Sequence, residues 1–398
     1  MTTPGDDGPA PEPTVGTATI ARQWGRIGIL GFGGPPTHIA MLRQLCVTER
    51  GWLTAAEFED GIAATNLLPG PASTQLAIFC AWRLAGTVGA LVGGVCFIVP
   101  GLIVIVALAA LFLAAHPPLW VLGAAAGAGA AVPAVAVHAA TGLMPASWRR
   151  SGDAPMARAR WVAYALAGGV AAATVGPWLV LVLAACGVVE IGVRTGTGPR
   201  PPGPRHGLLL GPTVGATVAV GGLGALAWVA LKVGALSYGG GFVIVPLMQH
   251  DAVHTYHWMT ASQFLDAVAL GQITPGPVVQ TVSVVGYAAA GVGGALLAAA
   301  VAFAPSFVFV LVGGPRFDRI RASRRVQAFL AGAGPASLGA IAGSAIPLGL
   351  ALSYWWQAGV TVAAAVVLLV LRRGVVEALL GAGAIGVVAA LVGAPVPH

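Results

Sequence analysis

Most of this chain is written in long apolar runs, interrupted by glycine and proline and joined by short polar connections. Residues 88–113, 119–143, 161–189 and 281–312 each reach the roughly 20 apolar positions that a helix needs to cross a bilayer core. The pattern predicts an all-α polytopic membrane protein. With 58 glycines and 29 prolines the spans are expected to be irregular inside, because lipid tolerates such breakers only where neighbouring helices or a wet cavity satisfy the freed backbone.

The pattern also occurs twice. Gly28-Ile29-Leu30-Gly31-Phe32-Gly33-Gly34 returns as Gly234-Ala235-Leu236-Ser237-Tyr238-Gly239-Gly240, and Pro69-Gly70-Pro71 returns as Pro275-Gly276-Pro277, at one offset of 206. Trp52, Thr54, Phe58 and Asp60 meet Trp258, Thr260, Phe264 and Asp266 at that offset, and 14 of the 44 pairs from Gly28 to Pro71 are identical. Each copy reads as an apolar helix, a polar connection, a helix entered near Pro-Gly-Pro, and a long Gly-rich span. Pro-Gly-Pro removes donors and loosens the backbone, so a helix should end or unwind there. Two homologous halves with matched helix breaks are the pattern of secondary transporters whose site lies between repeats. The expected division is a disordered tail at 1–17, a first repeat at 18–194, a Pro/Gly/Arg linker at 195–206 and a second repeat at 207–398.

Arginine placement predicts orientation. With the tail, Arg22 and Arg26 on the cytoplasmic side, the cluster Arg149, Arg150, Arg158 and Arg160 and the five arginines from Arg316 to Arg325 also fall inside. Counting crossings from these clusters puts the connection from His250 to Gln263 inside and its copy, with Arg43 and Arg50, outside. The halves are thus expected to form an inverted repeat with broken helices.

Composition agrees with the pattern. The chain is 57% hydrophobic and only 8% charged, against about 25% charged in soluble domains. The net charge of +7 rests on basic residues that are all arginine except Lys232, and much of it lies in short connections. That makes it a topology signal, and nucleic acid is not an expected partner. The first 17 residues lack the charged and apolar regions of a signal peptide. Cys46, Cys80, Cys96 and Cys186 fit neither zinc nor disulfide spacing and read as packing residues.

Ionisable residues inside apolar spans are functional candidates. Arg26 and Lys232 are 206 apart, so each copy places one cation two residues before its first matched glycine. They read either as anchors at helix ends or as a pair that neutralises an anion. Arg83, which offset 206 matches to Ala289, reads as an interfacial anchor or a third anion ligand. Asp60 and Asp266 read as helix-start charges or as proton carriers. Gly31, Gly33 and Gly34, with Gly239, Gly240 and Gly241, allow close helix packing or present backbone N–H groups to an anion. Polar groups flank both Pro-Gly-Pro turns: Asn66, Ser73, Thr74 and Gln75 in one copy, and Gln272, Thr274, Gln280 and Thr281 in the other. They serve interhelical hydrogen bonds or oxyanion contact. His250, His254 and His257 share helical spacing beside Asp251 and read as solvated loop histidines or, second, as a metal site, and no metalloprotease signature accompanies them.

Taken together, Phe32-Gly33-Gly34-Pro35 with His38, Leu68-Pro69-Gly70-Pro71 with Gln75, Arg83-Leu84-Ala85-Gly86, Tyr238-Gly239-Gly240-Gly241, Pro246-Leu247-Met248, and Gly271-Gln272 with Thr274-Pro275-Gly276-Pro277 resemble the chromate ion transporter family. Trp52, Phe58 and Trp258 extend the match. The resemblance covers both halves and implies a long-chain, two-domain inner-membrane permease that exports chromate, driven by the membrane proton or electrical gradient. It implies no cofactor, a small oxyanion substrate and the lipid bilayer as partners, with a homodimer left open. Ala72 departs from the acid that many members carry after the first Pro-Gly-Pro, and residues 148–206 match no motif of the family. Sulfate is a dianion of similar shape, so a sulfate or general oxyanion permease stays open. A membrane-embedded reductase would need a redox signature that the sequence lacks. A non-transporting assembly subunit would not need matched cations and broken helices.

Overall fold

The computed structural model describes residues 15–66, 68, 70–174, 178–195, 222–237, 242–313 and 322–397. Fourteen α-helices carry these residues, and no strand occurs among them. The first half holds α1 (Thr17–Leu30), α2 (Pro35–Arg43), α3 (Ala55–Thr65), α4 (Ala72–Phe112), α5 (Leu119–Ser151), α6 (Pro155–Thr174) and α7 (Leu179–Thr195). The second half holds α8 (Leu223–Leu236), α9 (Val245–Gln249), α10 (Ala261–Ile273), α11 (Thr281–Gly313), α12 (Arg324–Leu350), α13 (Trp355–Ala365) and α14 (Val375–Leu391). Helix α1 begins at Thr17, one residue inside the expected tail, and α7 takes in Thr195, the first residue of the expected linker. The rest of the linker, residues 1–14 and the start of the second repeat at 207–221 lie outside the described residues.

The halves repeat each other in local detail. Both α2 and α9 run on into one π-helical turn, Gln44–Glu49 and His250–Thr255. The turn that follows requires left-handed backbone, with φ of +57° at Gly51 and +53° at its copy His257. Thr54 and Thr260 then cap α3 and α10. Each accepts from the backbone N–H three residues on, while Glu57 or Gln263 reaches back to the cap's own N–H.

After Pro-Gly-Pro the constant offset of 206 breaks, which corrects the register read from sequence. Gln75 and Gln280, Pro100 and Pro305, and the reversals Ala85-Gly86 and Ala290-Gly291 all stand 205 apart. Arg83 therefore aligns with Ala288. In α5 and α12, Pro133 and Pro145 match Pro335 and Pro347 at 202. The first change falls at the buried entry to the long helix, where α4 starts directly at Ala72 while its copy enters through the 3-10 turn Val278–Gln280.

At Ala85 and Gly86 the chain of α4 folds back into two antiparallel arms, so that Gly89 lies against Ala81 and Gly94 against Ile78. Helix α1 runs alongside the second arm in the same direction, with Trp24 by Gly93 and Gly25 by Cys96. The second arm ends on the face opposite the start of α1, α5 returns, and α6 crosses again. Helix α12 runs parallel to α6, because Gly339 meets Ala165 and Gly343 meets Gly169. Its copy α5 runs the other way. Helix α13 runs parallel to α5, with Gln357 and Thr361 donating to Ala126 and Ala130, and so runs opposite to its own counterpart α6. The repeat is inverted.

This path moves the arginine-bearing connection to the other side from the one expected. Arg83, beside the reversal of α4, donates to Glu57 at the start of α3, so the α2–α3 hairpin enters from the face where α1 begins. That face also carries Arg149, Arg150, Arg158, Arg194, Arg324, Arg325, Arg372 and Arg373 at helix ends. The opposite connections, 113–118, 250–260, 351–354 and 392–397, contain no Lys or Arg. By the positive-inside rule the α1 face is cytoplasmic. The crossing count from sequence inverted the two hairpins because it treated α1 as a full span, whereas α1 stops at Gly31 and the chain turns back.

Two measurements check this fold. A cysteine at Thr255→Cys should react with a membrane-impermeant maleimide in intact cells, and one at Arg50→Cys only after permeabilisation. Where helices cross at glycine, a Cβ strikes backbone: Gly339→Ala meets the Ala165 carbonyl. That variant should lose about 1–3 kcal/mol, read as a lower melting temperature in detergent.

Candidate functional site

The four broken helix ends meet at the centre of the molecule. Helix α1 stops because Gly31, at ψ +67°, leaves helical space. Gly33 and Gly34 follow at φ +98° and +75°, a path open to glycine, and Pro35 restarts the helix at its first turn. Gly70 and Gly276, at φ +127° and +99°, bend the two Pro-Gly-Pro turns.

These turns join across the repeat boundary. The Gly276 N–H donates to the Gly31 carbonyl at 3.1 Å, and the Gly70 N–H donates to the Ser237 carbonyl at 2.9 Å. Each member of one bond is the copy of a member of the other. Every re-entrant turn thus docks on the broken helix of the opposite half, which satisfies backbone groups that hydrocarbon would leave bare.

Side chains brace the junction unequally. His38 is fully buried, with Nε2 2.9 Å from the Gly31 carbonyl and Nδ1 3.3 Å from Ser73 Oγ. A carbonyl only accepts, so Nε2 carries the proton, and in the neutral ring Nδ1 accepts from Ser73. Phe97 packs edge-on to the ring at 5.0 Å. The copy of His38 is Ile244, so this brace exists on one side only. Gln280 Nε2 donates to the Ile98 carbonyl at 2.7 Å, and Gly101 leaves room for Pro275 and Gln280 where a Cβ would collide.

The elements that build the junction carry polar capacity that the described residues do not use. Thr74 Oγ1, Ser237 Oγ, Gln272 Nε2, Gln280 Oε1, Ser283 Oγ and Ser306 Oγ are buried and have no hydrogen-bond partner among the described residues. An unmet buried polar group costs about 1–3 kcal/mol, so such a set is costly unless a ligand meets it. Four hydroxyls and one amide nitrogen make the set rich in donors, as an oxyanion requires. The hydroxyls of Ser237, Ser283 and Ser306, and His38 as a brace, were missed as site residues in sequence. Isolated serines inside apolar runs were the available signal.

The other candidates are spread more widely. Arg26 is exposed on the outer stripe of α1, opposite buried Ile20, Trp24 and Ile27. Lys232 is half-buried, pairs with Asp251 on the π-helical turn, and has Trp228 beside it. Arg83 is committed to Glu57 at 2.6 Å, near the cytoplasmic rim. The backbone N–H of Thr54, then its hydroxyl and Arg83, hold the Glu57 carboxyl below its ordinary range, so this pair persists at physiological pH. Among the described contacts none of the three cations touches another. Asn66 is exposed at the end of α3, and Gln272 is buried on α10. Pro71 caps α4, and Pro277 precedes a short 3-10 turn, Val278–Gln280. Asp60 is exposed on α3, while its copy Asp266 faces a cavity beside α10. Pro69, Gly239 and Gly240 lie outside the described residues. The rings of His250 and His254 are 5.8 Å apart, and His254 and His257 are exposed.

If the junction holds the oxyanion, Ser237→Ala removes one donor and keeps the backbone carbonyl that Gly70 needs. The KM for transport should rise about tenfold, the effect of a lost hydrogen bond near 1.4 kcal/mol. An unchanged KM would take Ser237 out of the site.

A family model described as chromate transporter matches residues 18–191 and 224–387, one match in each half. A chromate transport protein of Cupriavidus metallidurans is 32% identical to this chain, over 84% of this chain and 83% of its own. A probable chromate transport protein of Synechococcus elongatus is 28% identical, over 85% and 86%. A chromate transport protein of Pseudomonas aeruginosa is 29% identical, over 81% and 79%. No solved structure matches the chain. Matched in both repeats and over most of its length, the chain belongs to the chromate transporter family.

Proposed function

We propose that this protein is a carrier, not an enzyme, that exports chromate across the inner membrane and confers chromate resistance. The observation that carries the reading is the junction of two inverted broken-helix turns, on elements that bear buried donors with no partner among the described residues. A tetrahedral dianion accepts hydrogen bonds from several directions at once, which fits hydroxyls and an amide supplied by both halves. Ser237, Gln272 and the turns at Gly33, Gly34, Gly70 and Gly276 form the cradle in this reading. Lys232 supplies positive charge from α8, in exchange between Asp251 and the substrate, and Arg26 is its counterpart on α1. Arg83, paired with Glu57, anchors the cytoplasmic rim instead.

A carrier of this kind alternates the side to which one central site opens. The inverted repeat supports that cycle, since each half can adopt the conformation of the other and so exchange inward for outward access. The membrane potential, negative inside, itself favours the exit of a dianion.

The test is initial-rate uptake of labelled chromate into proteoliposomes under an imposed ion gradient, with and without excess sulfate. Gradient-dependent uptake that sulfate does not suppress is the expected result, and its absence refutes the carrier. Uptake abolished by sulfate would make the protein a general dianion permease. In correctly inserted protein, Lys232→Ala and Arg26→Ala should each slow transport at least several-fold, and full activity in both would remove the cations from the mechanism.

A further inference from the structure

We propose that Asp266 is the group through which protons from the extracytoplasmic side drive transport, and that the cavity beside α10 is their entrance. The inference rests on the carrier reading and adds its coupling site.

The cavity, about 240 Å³, is walled by Phe112 and Leu113 at the end of α4, Leu122 and Ala125 on α5, Leu270 on α10 and Pro397 near the C-terminus. The end of α4, the start of α5 and the end of α14 share the face opposite the arginine clusters, so the cavity lies on the extracytoplasmic side. Asp266 is the one charged residue among its described lining, joined by the polar Ser262 and Gln263. Helix α5 backs directly onto the carboxylate, since a Cβ at Gly129 would lie 2.7 Å from Asp266 Oδ1.

Among the described residues Asp266 makes no hydrogen bond and no ion pair. Glu57, Glu59, Asp153, Glu190 and Asp251 all have basic partners. Titratable groups on the elements packed against α10 are Cys80, Arg83 and Cys96 on α4, His138, Arg149 and Arg150 on α5, Tyr287 on α11, Glu377 on α14, and His250, Asp251 and His254 on the π-helical turn. None of them lines the cavity. A carboxylate without a counter-charge in a largely apolar wall is held ionised only while water reaches it, and takes a proton when the cavity closes. Its copy Asp60 is exposed on α3, so the two faces of the protein are chemically unequal. The proton would come from external water, reside on Asp266 and leave to the cytoplasm as chromate moves outward.

The experiment uses full-length protein in proteoliposomes and compares two assays. One is exchange of labelled for unlabelled chromate without a gradient, and the other is accumulation driven by a pH gradient. Asp266→Asn should keep exchange within about twofold and lose at least tenfold of the driven accumulation, with Asp266→Glu restoring part of it. Driven accumulation intact in Asp266→Asn overturns the assignment. So do equal losses of both activities in both variants, or a sodium gradient that replaces the proton gradient. Failure of the carrier reading shows separately, as wild-type protein that does not exchange chromate at all. In that case Asp266→Cys, with Cys46, Cys80, Cys96 and Cys186 replaced by alanine, still decides access. Labelling by a small impermeant thiol reagent from outside supports the entrance, and no labelling overturns it.

Discussion

Everything in this fold depends on two backbone hydrogen bonds between halves that run in opposite directions. A helix that stops inside a bilayer leaves carbonyls and N–H groups without water, and each such group costs several kcal/mol unless the protein meets it. Here the N–H of Gly70 is met by Ser237 of the other half, and the N–H of Gly276 by Gly31. The requirement explains the residue types. Glycine gives the positive φ at both donors, proline frees the turn from helical bonding, and Gly101 lets α4 approach the Pro275 turn. Because each bond crosses the repeat boundary, neither half can complete its own broken helices.

Symmetry supplies the frame, and departures from it supply direction. The hairpin entering from the cytoplasm carries Arg43 paired with Glu59, Arg50 over the Trp52 ring, and Glu57, which holds Arg83 of α4. The hairpin from the opposite face carries no Lys or Arg in its connection, and has the Lys232–Asp251 pair and Asp266 deeper in. His38 braces one junction bond where the other has Ile244. A symmetric molecule could not distinguish the two sides of a membrane, whereas this one presents different chemistry to each.

Much of the architecture was legible in the chain. The offset of 206 exposed the duplication and both Pro-Gly-Pro turns, because those features depend on short local patterns. Two things were not legible. The offset changes after Pro-Gly-Pro, so a fixed register paired Arg83 with the wrong residue. The hairpins were also placed on the wrong faces, since apolarity cannot distinguish a helix that crosses from one that turns back at Gly31. The charged residues attracted notice because charge in an apolar chain is conspicuous. The buried hydroxyls of Ser237, Ser283 and Ser306 did not, since serine in a membrane helix is common and only burial without a partner among the described residues marks these.

The most direct test of the central claim is the position of the anion itself. Crystals soaked in chromate and measured at the chromium absorption edge would give one anomalous peak per bound ion. The account predicts a peak at the junction, within hydrogen-bonding distance of Ser237 and Gln272 and close to the turns at Gly70 and Gly276. A peak confined to the Arg83–Glu57 rim, or to the lipid-facing side of α1 at Arg26, with none at the junction, would contradict it.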